Sequence, residues 1–114
     1  MYSLNYYVPV EHHEKVKQAL FDCGAGRIGH YDQCCWQVKG EGQFKPLQGS
    51  SPVTGSVGQL TRLEEFKVEM ICDDMIIKKA VQTLLAQHPY EQPAYHIMQI
   101  QTYNDLINLD ELMT

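Results

Sequence analysis

The 114-residue chain is most informative first for what it lacks. It has no concentrated basic patch: nine Lys and Arg are scattered among fourteen Asp and Glu, for a formal charge of -5. Nucleic acid and anionic membrane surfaces both demand clustered positive charge, so neither is the main partner, although a small anionic ligand stays open. It has no apolar run able to span a bilayer; the longest, "MIIKKAVQTLLA", is short and carries two lysines. The opening "MYSLNYYVPV" shows neither the basic start nor the apolar core of an export signal, which points to the cytoplasm. Cysteine is scarce and poorly spaced. Cys23, Cys34, Cys35 and Cys72 include no C-x-x-C, so they read as reduced thiols rather than a disulfide framework, and they lend a structural zinc site little support. No G-x-S-x-G, H-E-x-x-H or P-loop occurs, and no internal repeat is visible.

What is present fits one soluble domain. Hydrophobic residues make up 44% and charged residues 20%, enough for a single core and too apolar for a disordered chain. "YSLNYYV" alternates as a strand, with Tyr2, Leu4, Tyr6 and Val8 on one face and Ser3, Asn5 and Tyr7 on the other. "EHHEKVKQALFDCG" then places Val16, Ala19, Leu20 and Cys23 at helical spacing, with Gly24 as the stop. In "YDQCCWQVKG" the alternation predicts a second strand with Cys34, Trp36 and Val38 towards the core and Cys35 and Gln37 on the opposite side.

From Gly40 to Gln59 five glycines and two prolines leave no period, which predicts a long loop or distorted hairpin of the kind that is often functional. "EEFKVEMIC" is a third strand, with Phe66, Val68, Met70 and Cys72 inward. Asp73 or Asp74 can cap a helix running to about His88, with Ile77, Val81, Leu84 and Leu85 as its buried stripe. "HPYEQP" turns the chain and "AYHIMQI" is a fourth strand. The tail from 103 to 114 reads as a short acidic amphipathic helix with Leu106, Leu109 and Met113 on one side.

The order strand, helix, strand, strand, helix, strand predicts an α+β fold: a ferredoxin-like β-α-β-β-α-β sandwich over residues 1–102, with an antiparallel four-stranded sheet and both helices on one face. The other sheet face, expected to carry Tyr7, Cys35, Gln37, Lys67 and Glu69, then needs a subunit interface, a ligand or solvent against it.

"GAGRIG", Gly24 to Gly29, fits G-x-G-x-x-G but in the wrong context. A dinucleotide site needs strand, turn, helix, so that the pyrophosphate meets a helix N-terminus; here the glycines follow a helix and lead into a strand. They read instead as a left-handed helix stop and a tight helix-to-strand link.

The words "GAGRIGHYDQCCWQVKGEGQFKP", then Pro52, Gly55 and Gly58, the glutamates Glu64, Glu65 and Glu69, and "HPYEQPAYHI" occur in the same order in a known family. Over roughly residues 2–101 the chain resembles the central insert domain of the NGG-interacting-factor-three-like proteins, the dinuclear-metal or GTP cyclohydrolase type 2-like family, and in particular its small YqfO-like homologues. Gln92 and His96 stand where that family usually has glutamate and aspartate. The resemblance implies a PII/CutA-like fold and a trimer. It also implies that the family's two metal ions belong to flanking halves that are not in these 114 residues, so the hydrolase activity does not transfer with the match.

Candidate site residues cluster near the turns. His88 ends a helix, where the dipole favours a protonated ring, and Pro89 fixes the turn that follows with Tyr90 packing inward. A functional alternative puts His88, Glu91 and Cys34 around a divalent metal such as zinc or copper, or Tyr90, Glu91, His30 and Tyr31 around a small ligand, in a cleft between subunits. Glu64 and Glu65 point to opposite faces, and Glu65 and Glu69 lie about 13 Å apart along one face, which suits a solvated strand better than paired acid-base carboxylates. No catalytic residue is assigned. The leading expectation is a non-catalytic, homo-oligomeric domain that binds a small ligand or metal, or regulates. Its rivals are a metal-dependent hydrolase acting on a nucleotide-like or phosphorylated substrate through His88, Glu91 and His30, and a partner-binding module whose acidic tail docks on another chain.

Overall fold

The computed structural model describes residues 1–107. Strand β1 (Tyr2–Pro9) leads through a short 3-10 turn (Val10–His12) into helix α1 (His13–Asp22); β2 (Trp36–Phe44) and β3 (Thr61–Cys72) form a hairpin; α2 (Ile77–Gln87) returns the chain to β4 (Tyr95–Gln99). The sheet order is β2-β3-β1-β4, with every pairing antiparallel. This is the α+β, ferredoxin-like architecture the sequence pattern predicts. Residues 103–107 are helical; the rest of the expected tail helix, including Leu109 and Met113, lies outside the described residues. Among the described residues no helix is long and apolar enough to cross a membrane.

Period-two alternation in β1 and β3 builds the core. Leu4, Tyr6 and Val8 pair across to Met70, Val68 and Phe66, so one face of the two central strands is almost wholly apolar. Val16, Leu20 and Phe21 from α1 and Ala80 and Leu84 from α2 close over it. Burying each of the larger side chains is worth roughly 1.5–3 kcal/mol, which fixes both helices on this face of the sheet.

The register also overturns one expectation. Gln37 lies opposite Val68 and Lys39 opposite Phe66, while Trp36 and Val38 lie opposite Glu69 and Lys67. Cys35, Gln37 and Lys39 therefore take the helix side, and Cys35 packs against the core. Trp36 and Val38 are on the open face with Tyr7, Lys67 and Glu69, at 60% and 43% exposure. Alternation alone gives β2 two equivalent phases, and its partner β3 chooses between them.

Three smaller differences follow from packing. Strand β2 runs on through Gly40 and Gly42 to Phe44, so the irregular connection shortens to residues 45–60. Helix α2 takes its cap from the Asp73 backbone carbonyl, which accepts the N–H groups of Ile76 and Ile77, while the Asp74 carboxylate pairs with the N-terminus. Ala80 replaces Leu85 in the buried stripe, and Leu85 faces out.

The glycine run behaves as its position after a helix demands. The Ala25 N–H reaches the Leu20 carbonyl at 3.1 Å and the Gly24 N–H reaches Phe21 at 3.0 Å, the paired bonds of a Schellman stop, with Gly24 at φ +105°. Gly26, at φ +78°, is pinned between β3 and the segment entering β2: its N–H donates to the Ile71 carbonyl at 2.9 Å and its carbonyl accepts the Cys34 N–H at 2.7 Å.

Candidate functional site

His88 ends α2 and is buried, and both of its ring nitrogens are committed. Nε2 donates to the Tyr7 carbonyl at 2.7 Å, and Nδ1 accepts the Tyr90 N–H at 3.1 Å. An imidazole that accepts at one nitrogen is neutral, and burial holds its pKa below the ordinary value, with the Tyr7 carbonyl opposing that shift. The protonated ring expected from the helix dipole is corrected: desolvation outweighs the dipole here, because a charged ring would lose water and gain only one carbonyl. The ring ties the turn to β1, where the Tyr7 N–H also donates to the Ala94 carbonyl at 3.1 Å.

On this bracket sits a cleft of about 530 Å³ on the open side of the sheet. Its floor is Tyr7 and Glu65, one wall is the turn Tyr90–Gln92, and the other is the connection after Phe44, which folds back onto the turn. The Glu91 Oε1 accepts the Ser51 backbone N–H at 2.9 Å, and the Phe44 and Tyr90 rings lie 5.7 Å apart. The Tyr90 hydroxyl is shut off from solvent, close to Thr54 but not in hydrogen-bonding geometry; burial, and then the Glu65 carboxylate, raise its pKa. Burial likewise raises the Glu65 pKa. Neighbouring charges on the hairpin are paired, Lys39 with Glu64 at 3.8 Å and Arg62 with Glu41 at 3.9 Å, but Glu65 has no basic partner among the described residues.

Of the residues the sequence singled out, Tyr90 and Glu91 line this cleft and His88 supports it from beneath. His30 and Tyr31 are exposed beside the glycine turn, Tyr31 bridged to Ile28, and neither lines it. Cys34 borders a separate hollow with Trp36, Ile28 and Glu69. Among the described residues no three of His, Cys, Asp and Glu converge as a cation would require, and the four cysteines are free thiols. Within one chain, then, the expected metal group of His88, Glu91 and Cys34 is not assembled.

Sequence reasoning missed Phe44, placed Tyr7 on the open face without joining it to the HPYEQP turn, and read Glu65 as part of a solvated strand. Glu65 was legible in principle, since it shares the open face with Tyr7 while its strand neighbour Phe66 turns inward. A second omission is His13, 2% exposed, stacked on Phe66 with ring centroids 4.1 Å apart and donating from Nε2 to Gln37 at 2.9 Å. It stands three residues before Val16 on the buried stripe of α1, a spacing that could have found it.

No protein-family model matches the chain. The GTP cyclohydrolase 1 type 2 homolog of Mycobacterium leprae is 45% identical over 91 residues, which are 80% of this chain and 24% of that protein. The protein of the same name from Halalkalibacterium halodurans is 37% identical over 112 residues, 98% of this chain and 30% of that one. The chain thus spans less than a third of the length of these curated relatives. A solved Bacillus cereus protein related to NIF3 shares the fold with a TM-score of 0.75 at 36% identity, over 89% of this chain and 26% of that one. CutA1 from Pyrococcus horikoshii matches with a TM-score of 0.66 over 95% of this chain and 92% of its own, but at 14% identity, so it speaks to the fold alone. The resemblance read from the glycine run and the HPYEQP turn is borne out.

Proposed function

From a chain homologous to one segment of the GTP cyclohydrolase 1 type 2 homologs and folded like CutA, we propose a non-catalytic binding domain that self-associates through its open sheet face and holds a small ligand in the cleft beneath the 45–60 connection. The cleft carries the reading. Its volume suits a small molecule, it combines aromatic walls with a few polar groups, and its base is braced by the His88 bracket. Self-association is supported by Trp36, Val38 and Met98, exposed on the sheet face that no helix covers. A trimer is the form the PII/CutA resemblance implies.

The name of the longer relatives describes proteins more than three times the length of the matching segment, so their activity is not assigned to this chain. A metal-binding version of the reading keeps Glu91 and Cys34, contributed by different copies, and loses His88, whose nitrogens are engaged.

Light scattering on the purified chain is the first test, with a trimer mass expected. A strict monomer at micromolar concentration overturns the self-association. For the ligand, NMR shifts confined to Tyr7, Thr54 and Tyr90 on adding a metabolite mixture are expected; shifts elsewhere only, or none, overturn the cleft. Zinc raising the melting temperature of the assembled form alone is the result the metal version needs.

A further inference from the structure

Charge and surface in the cleft select among ligand classes. Three aromatic rings, Tyr7, Phe44 and Tyr90, and two carboxylates, Glu65 and Glu91, line it. Glu91 spends one oxygen on Ser51. Glu65 spends neither: among the described residues it has no hydrogen-bond donor and no basic partner, although it is half-buried. Lys45, the basic residue of the lining, pairs with neither carboxylate. The Glu65 position is also built by the backbone. Its carboxylate lies across the neighbouring strand over Gly42, in the space a Cβ at residue 42 would fill. Glycine inside a strand weakens it and commonly marks a close approach, and here the approach is that of an unpaired carboxylate. A half-buried anion without a partner, in a cleft lined by aromatic residues whose ring faces attract positive charge, is complementary to a cation.

We propose that the cleft takes a small organic cation, its ammonium group set against the Glu65 carboxylate above Gly42 and its body against the rings of Tyr7, Phe44 and Tyr90. This rests on the cleft being a ligand site, and it names the class of ligand.

The test uses the full chain and two probes of nearly equal shape, choline and its uncharged isostere 3,3-dimethylbutan-1-ol, with inorganic phosphate as the anionic control, all read by NMR titration and calorimetry. Choline is expected to bind at the cleft at least about 5-fold more tightly than the alcohol, the ratio a partly desolvated cation-π and carboxylate contact gives. Glu65→Gln keeps the shape and removes the charge, and Gly42→Ala keeps Glu65 and evicts its carboxylate through a flexible side chain. Both variants are expected to fold, as circular dichroism would record, and to reduce choline binding to that of the alcohol. If the alcohol binds as tightly as choline, or Glu65→Gln binds choline undiminished, the cation assignment is overturned while the cleft survives as a ligand site. Phosphate binding there in preference to choline overturns it equally. If no probe perturbs the cleft, the cation assignment falls and the ligand-site reading loses its support with it.

Discussion

Glu91 reaches forty residues back along the chain to accept the Ser51 backbone N–H at 2.9 Å. This bond joins the turn after α2 to the connection between β2 and β3, and so closes one side of the cleft. Without it the connection keeps its internal bonds, such as Gly58 N–H to the Pro46 carbonyl at 2.8 Å, but loses this hold on the turn.

Glu91→Ala should therefore leave global stability within about 1 kcal/mol, since an exposed hydrogen bond contributes little, while loosening the connection. Limited proteolysis should cut between residues 45 and 60 faster in the variant. Equal cleavage rates would show that the loop is held by something other than Glu91.

His88→Ala should cost more, about 3 kcal/mol, because it leaves the half-buried Tyr7 carbonyl without its partner and empties the space under the turn. Urea denaturation measures it. A loss below about 1 kcal/mol would mean that the bracket between Tyr7 and the turn is not structural.

Acid should weaken the fold through its two buried histidines. Burial holds both His13 and His88 below the ordinary imidazole pKa of 6.5, so below that pH the unfolded chain binds protons that the folded one refuses. Their stability contribution is complete above about 6.5 and is lost as the pH falls from there through the lowered folded values. Glu65, raised by burial, acts with the opposite sign, its contribution growing as the pH falls through its folded value. The melting temperature should accordingly drop between about pH 7.5 and 6, and drop less in His13→Gln. An unchanged melting temperature across that interval would contradict the buried, neutral state of both rings.

Among the glycines, Gly26 should be the least replaceable. A Cβ there would lie 2.7 Å from the Cys34 carbonyl oxygen and 2.8 Å from the Phe21 ring, with φ at +78°, whereas Gly29 has φ +57° and open space around it. Gly26→Ala should cost about 3 kcal/mol and Gly29→Ala about 1 kcal/mol. Equal costs would show that the left-handed backbone alone, and not the wedge between β3 and Cys34, sets the requirement.

Trp36→Glu should dissociate the proposed assembly while leaving the secondary structure intact, since the side chain stands on the uncovered sheet face and takes no part in the core. Light scattering before and after the change reads it. An unaltered mass would move the interface elsewhere.

What the sequence determined by itself was the local grammar. Alternation at Leu4, Tyr6 and Val8 and at Val68 and Met70 could be satisfied only by strands with one apolar face, and the helix before Gly24 made the glycine run a stop rather than a phosphate cradle. The paired words around the glycines and HPYEQP carried the family resemblance, because they are long and ordered. What tertiary structure alone decided was phase and proximity. The side of the sheet that Cys34 and Cys35 would take depended on pairing with β3, and the neutral state of His88 depended on a carbonyl eighty-one residues away at Tyr7. Glu65, one of a solvated row of glutamates by its sequence, joins the cleft only because its carboxylate packs over Gly42 on another strand. Periodicity reports how a residue faces its own backbone; which other residues share that face is fixed by long-range packing, and that is where this protein assembles its cleft.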